Sequence, residues 1–311
     1  MPEISVIMLT YNREKFVERA IKSIMRQTWS DFELIIVDNG STDKSGELCD
    51  KWAEIDTRVK VIHKKKGNIG SGRNSGLDKA IGNYITFVDD DDRFEPDMLM
   101  YLFQLIKKYN GDIAICGSMR EFENRIEPKY VFEKTYILNK REAIREMLRR
   151  KLFNSGMPTK LMKKEICNNI RFPENGKYDD ISTCYRYIAE AESIIVGGQP
   201  KYYCYRHNCN NSDFTTNDKL LSRQQLCVYL KSFRERTEYL SKIIPDDADY
   251  YLYAELSYMI SMCNKLKRLN YPSDCKEIYG YMSGEIQKRE EWLKDTGYLE
   301  EYEKQWIKEI V

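Results

Sequence analysis

The sequence has few histidines, no long apolar run and no excess of either charge, and each lack narrows the field. No stretch approaches the ~20 consecutive apolar residues of a membrane-spanning helix, so no spanning segment is expected. Fifty basic residues face 49 acidic ones, a net charge of +1. That balance argues against an electrostatic grip on nucleic acid, which needs a basic excess or stripe. The one local basic cluster is Lys64-Lys65-Lys66. There are only two histidines, and the nine cysteines include no C-x-x-C. An odd, scattered set of thiols fits reduced cysteines in a cytoplasmic protein better than a disulfide framework or a zinc site. Met1-Pro2-Glu3 is not followed by the apolar core of a secretory signal, which supports the same cytoplasmic expectation. The sequons Asn39-Gly40-Ser41 and Asn210-Asn211-Ser212 then read as turn residues.

What is present is a rhythm. Apolar residues make up 42% of the 311, enough for a sizeable core. Ile4–Leu9, Phe32–Val37, Val59–His63 and Tyr84–Val88 are short runs rich in apolar and β-branched residues, read as strands. Between them, Glu14–Met25, Lys44–Ile55 and Gly72–Ala80 read as helices. Strands alternating with helices imply an α/β fold with a mostly parallel sheet flanked by helices. Ligands in such sheets sit beyond the carboxyl ends of the strands. Those ends carry Thr10-Tyr11-Asn12, Asp38, the loop after His63, and Asp89–Asp92. Residues from Asp97 to Gly198 mix helices with shorter strands. From about Thr216, Leu, Tyr, Lys and Glu take over at helical spacing. Residues 216–311 are therefore expected to form an α-helical C-terminal extension, broken by Pro245 and Pro272. Its tyrosines, Tyr250, Tyr251, Tyr253 and Tyr258, read as core packing. The extension could instead build a homodimer or cover the acceptor side.

The residues that carry chemistry cluster at those strand ends. Asp89-Asp90-Asp91-Asp92 puts four carboxylates side by side, which raise one another's pKa unless a cation neutralises them. Oxygen ligands of this kind suit Mg²⁺ or Mn²⁺; the alternative is a solvated acidic turn. Asp38 is placed to accept from a base N–H or a ribose hydroxyl, or to serve as a turn residue. Gly67-Asn68-Ile69-Gly70-Ser71-Gly72-Arg73-Asn74 opens a helix whose N-terminus favours anions. The loop is neither G-x-G-x-x-G nor a P-loop, which leaves a dinucleotide site weak. Asp179-Asp180 stand before an apolar helix, as an N-cap or as a general base. Arg206 and His207 are candidates to meet a diphosphate or a metal. His63 reads as structural.

Taken in order, these segments resemble the family 2 glycosyltransferases, over roughly residues 1–210. Ile4–Asn12 resembles the family's opening strand, and Ser23–Thr28 its S-x-x-x-Q-T signature. Glu33–Asp43 is similar to its E-I-I-V-D-D-G-S-T-D segment. Asn68-Ile69-Gly70 with Arg73–Gly76 resembles N-x-G…A-R-N-x-G, and Tyr84–Asp92 the DXD strand.

The resemblance implies a GT-A, Rossmann-like catalytic domain over 1–215. Its nucleotide-sugar half would span about 1–95 and its acceptor half about 96–215, ahead of the helical extension. It also implies a UDP-sugar donor and Mn²⁺ or Mg²⁺. Thr10, Tyr11, Asn12, Asp38, Asn68, Gly70, Arg73, Asp89, Asp90 and Arg206 would surround the donor. Asp91 would be the first metal ligand, with Asp89 and His207 beside it. Asp180 would be the catalytic base, and Asp179 stands where the family commonly has Glu.

The implied reaction is inverting transfer of a hexose to a hydroxyl of a glycan or lipid-linked glycan, in surface polysaccharide synthesis. It would be non-processive, since Q-x-x-R-W and membrane helices are missing, and would run in the cytoplasm or peripherally at the inner face of the membrane. A catalytically inactive glycan- or partner-binding module and a sugar-phosphate nucleotidyltransferase are the alternatives.

Overall fold

A computed structural model describes residues 1–174, 179–207 and 221–310. Its contacts divide the chain into two compact units, Met1–His207 and Asn208–Val311. The boundary expected at 215/216 lies within 208–220, outside the described residues.

The first unit is a ten-stranded sheet with helices. The strands are β1 Ile4–Thr10, β2 Phe32–Asp38, β3 Val59–His63, β4 Tyr84–Asp89, β5 Arg93–Phe94, β6 Ile113–Glu121, β7 Ile126–Tyr130, β8 Tyr136–Leu138, β9 Lys160–Lys163 and β10 Ile194–Tyr205. The helices are α1 Val17–Met25, α2 Ser45–Ile55, α3 Ile69–Lys79, α4 Met98–Tyr109, α5 Lys140–Arg149, α6 Lys164–Cys167 and α7 Asp179–Glu190. The sheet order is β3-β2-β1-β4-β9-β6-β10-β5, with β7 on β6 and β8 on β10. The expected parallel character holds through β3-β2-β1-β4. It then gives way to a mixed half, because β9 runs antiparallel to both β4 and β6.

Every residue of β2 is buried, and all but one of β1, as befits strands covered by helices on both faces. On one side α1 presents Val17, Ala20, Ile21 and Ile24 to the core. On the other, α3 lies close to β1 because it is rich in glycine. A Cβ at Gly76 would come within 2.4 Å of Ile7 Cγ2, and one at Gly72 within 2.1 Å of Leu9 Cδ1. Glycine is a poor helix former, and the sequence reading started this helix only at Gly72. The Asn68 side chain moves the start to Ile69 by accepting from Ser71 N at 2.8 Å, an N-cap. In contrast, α1 starts later than read, at Val17, because a turn closes on Arg13 O first.

At the amino end of the strands, Glu33 is 2% exposed. Its carboxylate accepts from Ser5 Oγ at 2.6 Å, Lys60 Nζ at 2.6 Å and Ile81 N at 2.9 Å. Burial alone would raise its pKa, but the bonds from Lys60 and Ser5 hold it below the ordinary value. Gly82 N donates to the same Ser5 Oγ at 2.9 Å.

The second unit holds α8 Arg223–Ile243, α9 Ala248–Arg268, α10 Lys276–Gln287, α11 Glu290–Asp295 and α12 Glu301–Ile310 among the described residues. The breaks after α8 and α9 fall at Pro245 and Pro272. Tyr250, Tyr251 and Tyr253 are buried. Tyr258 is half-buried, with its ring against Tyr229 and Phe233. Inside this unit Glu303 is 1% exposed and accepts from Tyr253 Oη at 2.8 Å.

Gly82→Ala tests how closely the first two layers fit. Its Cβ would lie 2.6 Å from Ser5 N and 2.8 Å from Ile4 C, backbone atoms that cannot swing aside. Overpacking of this kind costs about 1–3 kcal/mol. Denaturant unfolding should show a loss in that range, while Gly280→Ala, which has open space around it, should show none from crowding.

Candidate active site

The carboxyl ends of β1, β2 and β3 meet in register, Thr10 opposite Asp38 and Asp38 opposite His63. Asp38 is 5% exposed. Its Oδ1 accepts from Ser41 N at 2.9 Å, and its Oδ2 meets His63 Nδ1 at 3.0 Å. Thr10 is buried, and its carbonyl accepts from Asn39 N at 2.9 Å. The Tyr11 hydroxyl accepts from Lys66 Nζ at 2.7 Å, and the same ammonium lies over its ring at 4.5 Å. Asn12 has φ +53°. It is committed to the chain itself: its N–H donates to Ser41 Oγ at 3.0 Å and its Oδ1 accepts from Thr42 N at 2.8 Å. Asn12 thus ties two loops together.

The four aspartates after β4 are held in four different ways. Asp89 is half-exposed, with Oδ1 3.3 Å from Arg73 Nη2. Asp90 is buried, with Arg13 Nε at 3.6 Å and Tyr11 N at 3.4 Å. Asp91 Oδ2 meets His207 Nε2 at 2.9 Å, and its backbone carbonyl accepts from Arg19 Nη2 at 2.9 Å. Asp92 accepts from Tyr202 Oη at 2.6 Å and from Tyr205 N at 2.7 Å. Burial, reinforced by Asp91, pushes the carboxyls of Asp90 and Asp92 well above the usual range. Asp90, Asp91 and Asp92 are buried and only Asp89 is open to solvent, so the run is not a freely solvated turn.

Arg73, on the first turns of α3, is the hub. It is 6% exposed. Its Nη1 donates to Asp179 Oδ2 at 2.7 Å and also to Asp180 Oδ1, while Nη2 reaches Asp89. Phe87 and Phe172 place their ring centroids 5.6 and 5.3 Å from the guanidinium carbon. Burial opposes the charge, yet Asp179, Asp180 and Asp89 hold the group protonated above its ordinary value. Asp179 is pushed upward, first by burial and then by Asp180. The first turn of α7 is thereby brought to Arg73 across more than a hundred residues of chain, and so beside the end of β4.

Gly70 is among the residues expected around the donor. A Cβ there would sit 2.3 Å from Pro173 O, so the close approach is to the chain itself. Asn68 reinforces it, donating from Nδ2 to Pro173 O at 3.0 Å. His63, read as structural, touches Asp38 directly. The strand register would have revealed this, since two parallel strands ending together bring their last residues side by side. Sequence reading also missed Phe16, which stacks on His207 at 4.3 Å between centroids, and Arg19, which lies 4.3 Å over Tyr205. Arg206 donates its backbone N–H to Glu121 O at 2.7 Å. Residues 208–220, which follow His207, lie outside the described residues, as do residues 175–178.

The Glycosyl transferase family 2 profile matches residues 5–171. This chain belongs to the family 2 glycosyltransferases. Glycosyltransferase GlyG of Streptococcus pneumoniae serotype 4 is 32% identical over 242 residues, 75% of this chain and 80% of that one. The GalNAc(5)-diNAcBac-PP-undecaprenol β-1,3-glucosyltransferase of Campylobacter jejuni is 32% identical over 203 residues, 63% of this chain and 62% of that one. Three further curated glycosyltransferases are matched over about a third of their length or less. Among solved structures, S. aureus TarS residues 1–349 in complex with UDP-GlcNAc superposes with a TM-score of 0.68. It is 22% identical, with 83% of this chain and 73% of that one covered. The fold of this family 2 glycosyltransferase is GT-A. Among its described residues no helix is long and apolar enough to cross a membrane.

Breaking the Arg73 hub should be severe. Arg73→Met leaves three carboxylates without their shared cation, and removing one partner of a buried ion pair costs about 3–5 kcal/mol. Arg73→Lys should recover only part of this, because an ammonium cannot fork toward both Asp89 and Asp179. Urea unfolding of both variants checks the order.

Proposed function

We propose that this glycosyltransferase moves a hexose from a UDP-sugar to a hydroxyl of a glycan or lipid-linked glycan, with inversion and one sugar at a time. The observation that carries the reading is the Arg73 hub, which draws the candidate base Asp180 to the Asp89 end of the candidate donor site. The UDP-GlcNAc bound by TarS and the PP-undecaprenol-linked acceptor for which the Campylobacter enzyme is named support the donor and acceptor classes. An acceptor of that kind would have the chain working peripherally at the inner face of the membrane.

The residues present fit a hard cation of the Mg²⁺ or Mn²⁺ kind. Asp91 Oδ2 and His207 Nε2 converge at 2.9 Å, with side chains 11% and 10% exposed. No group of three or more His, Cys, Asp or Glu is poised for a metal among the described residues. Ions of this kind need only one or two protein side chains when phosphates and water complete the shell. Asp91 and His207 would hold it, with Asp89 alongside; bound there, it would stabilise the negative charge that develops on the departing diphosphate.

The protein's own residues supply the rest. The side chain of Asp180 is 31% exposed, so an acceptor hydroxyl can reach it. Arg73 keeps it oriented through the hydrogen bond from Nη1 to Oδ1. Asp180 takes the hydroxyl proton; the oxygen forms a bond to the anomeric carbon, and the bond to the diphosphate oxygen breaks with its electron pair leaving on UDP. Attack opposite the leaving group inverts the configuration. Asp38, Thr10 and Tyr11 would line the nucleoside pocket, and Asp90 and Arg206 its phosphate side.

Calorimetric titration with UDP, in Mn²⁺ and then in EDTA, tests the donor site, and no binding would sink it. Asp91→Ala should remove the metal dependence of UDP binding. Asp180→Asn should bind UDP normally yet lose about 10²-fold or more in kcat, the range for a general base. Transfer at the wild-type rate would end Asp180's assignment.

A further inference from the structure

Behind Asp38 lies a three-member relay. His63 puts Nδ1 3.0 Å from Asp38 Oδ2 and Nε2 2.9 Å from Asp50 Oδ1. Asp38 stands at the end of β2, His63 at the end of β3 and Asp50 within α2. The side chain of Asp38 is 7% exposed, whereas those of His63 and Asp50 are each about half exposed, at 51% and 52%. The space is reserved for this arrangement. A Cβ on Gly46, at the start of α2, would lie 2.9 Å from Asp38 Oδ2 and 3.3 Å from His63 Cε1.

The relay fixes a carboxylate completely. Ser41 N holds Asp38 Oδ1 at 2.9 Å while His63 holds Oδ2, so the plane of the group cannot turn. Each oxygen keeps a second lone pair. A carboxylate locked in this way accepts from a ligand N–H and offers nothing to a ring nitrogen that is itself an acceptor. Uracil presents an N–H at N3; cytosine presents a bare acceptor there. We propose that His63, braced by Asp50, is a positioning residue that aims Asp38 at the N–H of the donor's base and so makes the site selective for uracil over cytosine. The inference rests on the proposed reading of Asp38 as the base contact.

Both ring nitrogens face carboxylates, and only the imidazolium has two N–H donors. The groups that face the ring are Asp38 from β2 and Asp50 from α2. Lys64, next in the chain, is turned to α3, where it donates to Ser71 O at 3.0 Å and Ser75 Oγ at 3.2 Å. The Cys49 thiol beside Asp50 is pushed up to about 12 by burial and stays neutral. The hydrogen bonds to Asp38 and Asp50 raise the His63 pKa above its ordinary value. A neutral ring serves only one of the two carboxylates. Selectivity therefore belongs to the protonated state and declines as pH rises through that raised pKa.

The experiment is calorimetric titration of the full chain with UDP and with CDP, in Mn²⁺, across pH. The readout is the ratio of the two affinities, in which effects on the common diphosphate cancel. His63→Ala should lower UDP affinity about tenfold, as expected for losing one charge-assisted hydrogen bond, and leave CDP affinity little changed. His63→Gln, whose amide NH₂ can still donate to Asp38 but carries no charge, should recover part of the ratio and lose its pH dependence. Asp50→Asn should move the decline to lower pH. The His63 ring-proton NMR titration, readable because the chain has two histidines, should move with it. Asp38→Asn separates the two levels of the argument. If it abolishes the ratio while His63→Ala and Asp50→Asn leave it unchanged, the relay is structural and this inference falls alone. If Asp38→Asn also leaves the ratio unchanged, Asp38 is not the base contact and both readings fall. Should His63→Ala fail to fold, Asp50→Asn decides on the same terms.

Discussion

Arg73 carries a full positive charge into a place almost without water, and most of the site's geometry answers that fact. A guanidinium cannot shed its proton to escape burial, so carboxylates must come to it. They come from two distant parts of the chain, Asp89 at the end of β4 and Asp179 with Asp180 at the start of α7. The approach requires α3 to lie low on β1, which Gly72 and Gly76 permit, and requires Pro173 to tuck against Gly70. Phe87 and Phe172 close the space around the cation. Helix packing, loop placement and the position of the candidate base are therefore one solution to one electrostatic demand.

The aspartates after β4 show the same economy with a different outcome. Four adjacent carboxylates repel, and the fold separates them by assigning each a different partner. Asp90 turns to Arg13 and Tyr11, and Asp92 to Tyr202 and Tyr205. Asp92 is thereby spent on architecture, fastening the β4 end to β10. Asp89 and Asp91 are left pointing toward Arg73 and His207.

Much of this was legible in the sequence. The parallel half of the sheet was readable because its strands are short apolar runs separated by amphipathic helices, and the Asp run stood out by its position after Tyr84–Val88. The mixed half was not, since β9 is four residues long and its reversed direction is set by tertiary packing rather than by local pattern. Arg73 was identifiable as a site residue, but its union with Asp179 and Asp180 depends on a contact between residues 106 and 107 positions apart. Asn12 and Gly70 hold family-like positions, and the structure adds contacts that no motif announces: Asn12 ties two loops and Gly70 admits the Pro173 carbonyl. The contact of His63 with Asp38 could not be read locally, because a residue at a strand end carries no signature of its neighbour; only the register of β2 against β3 shows it.

The short strand β9 has a mechanical consequence. It is hydrogen-bonded to β4 on one side and to β6 on the other, so it stitches the strands that end at Asp38 and Asp89 to those of the second half in one continuous ladder. Two halves joined by a flexible linker can close on a ligand like jaws; two halves sharing a sheet cannot bend at the seam without breaking ladder bonds. The floor beneath the candidate site is in this sense a rigid plate, and any closing motion is left to the loops along its rim.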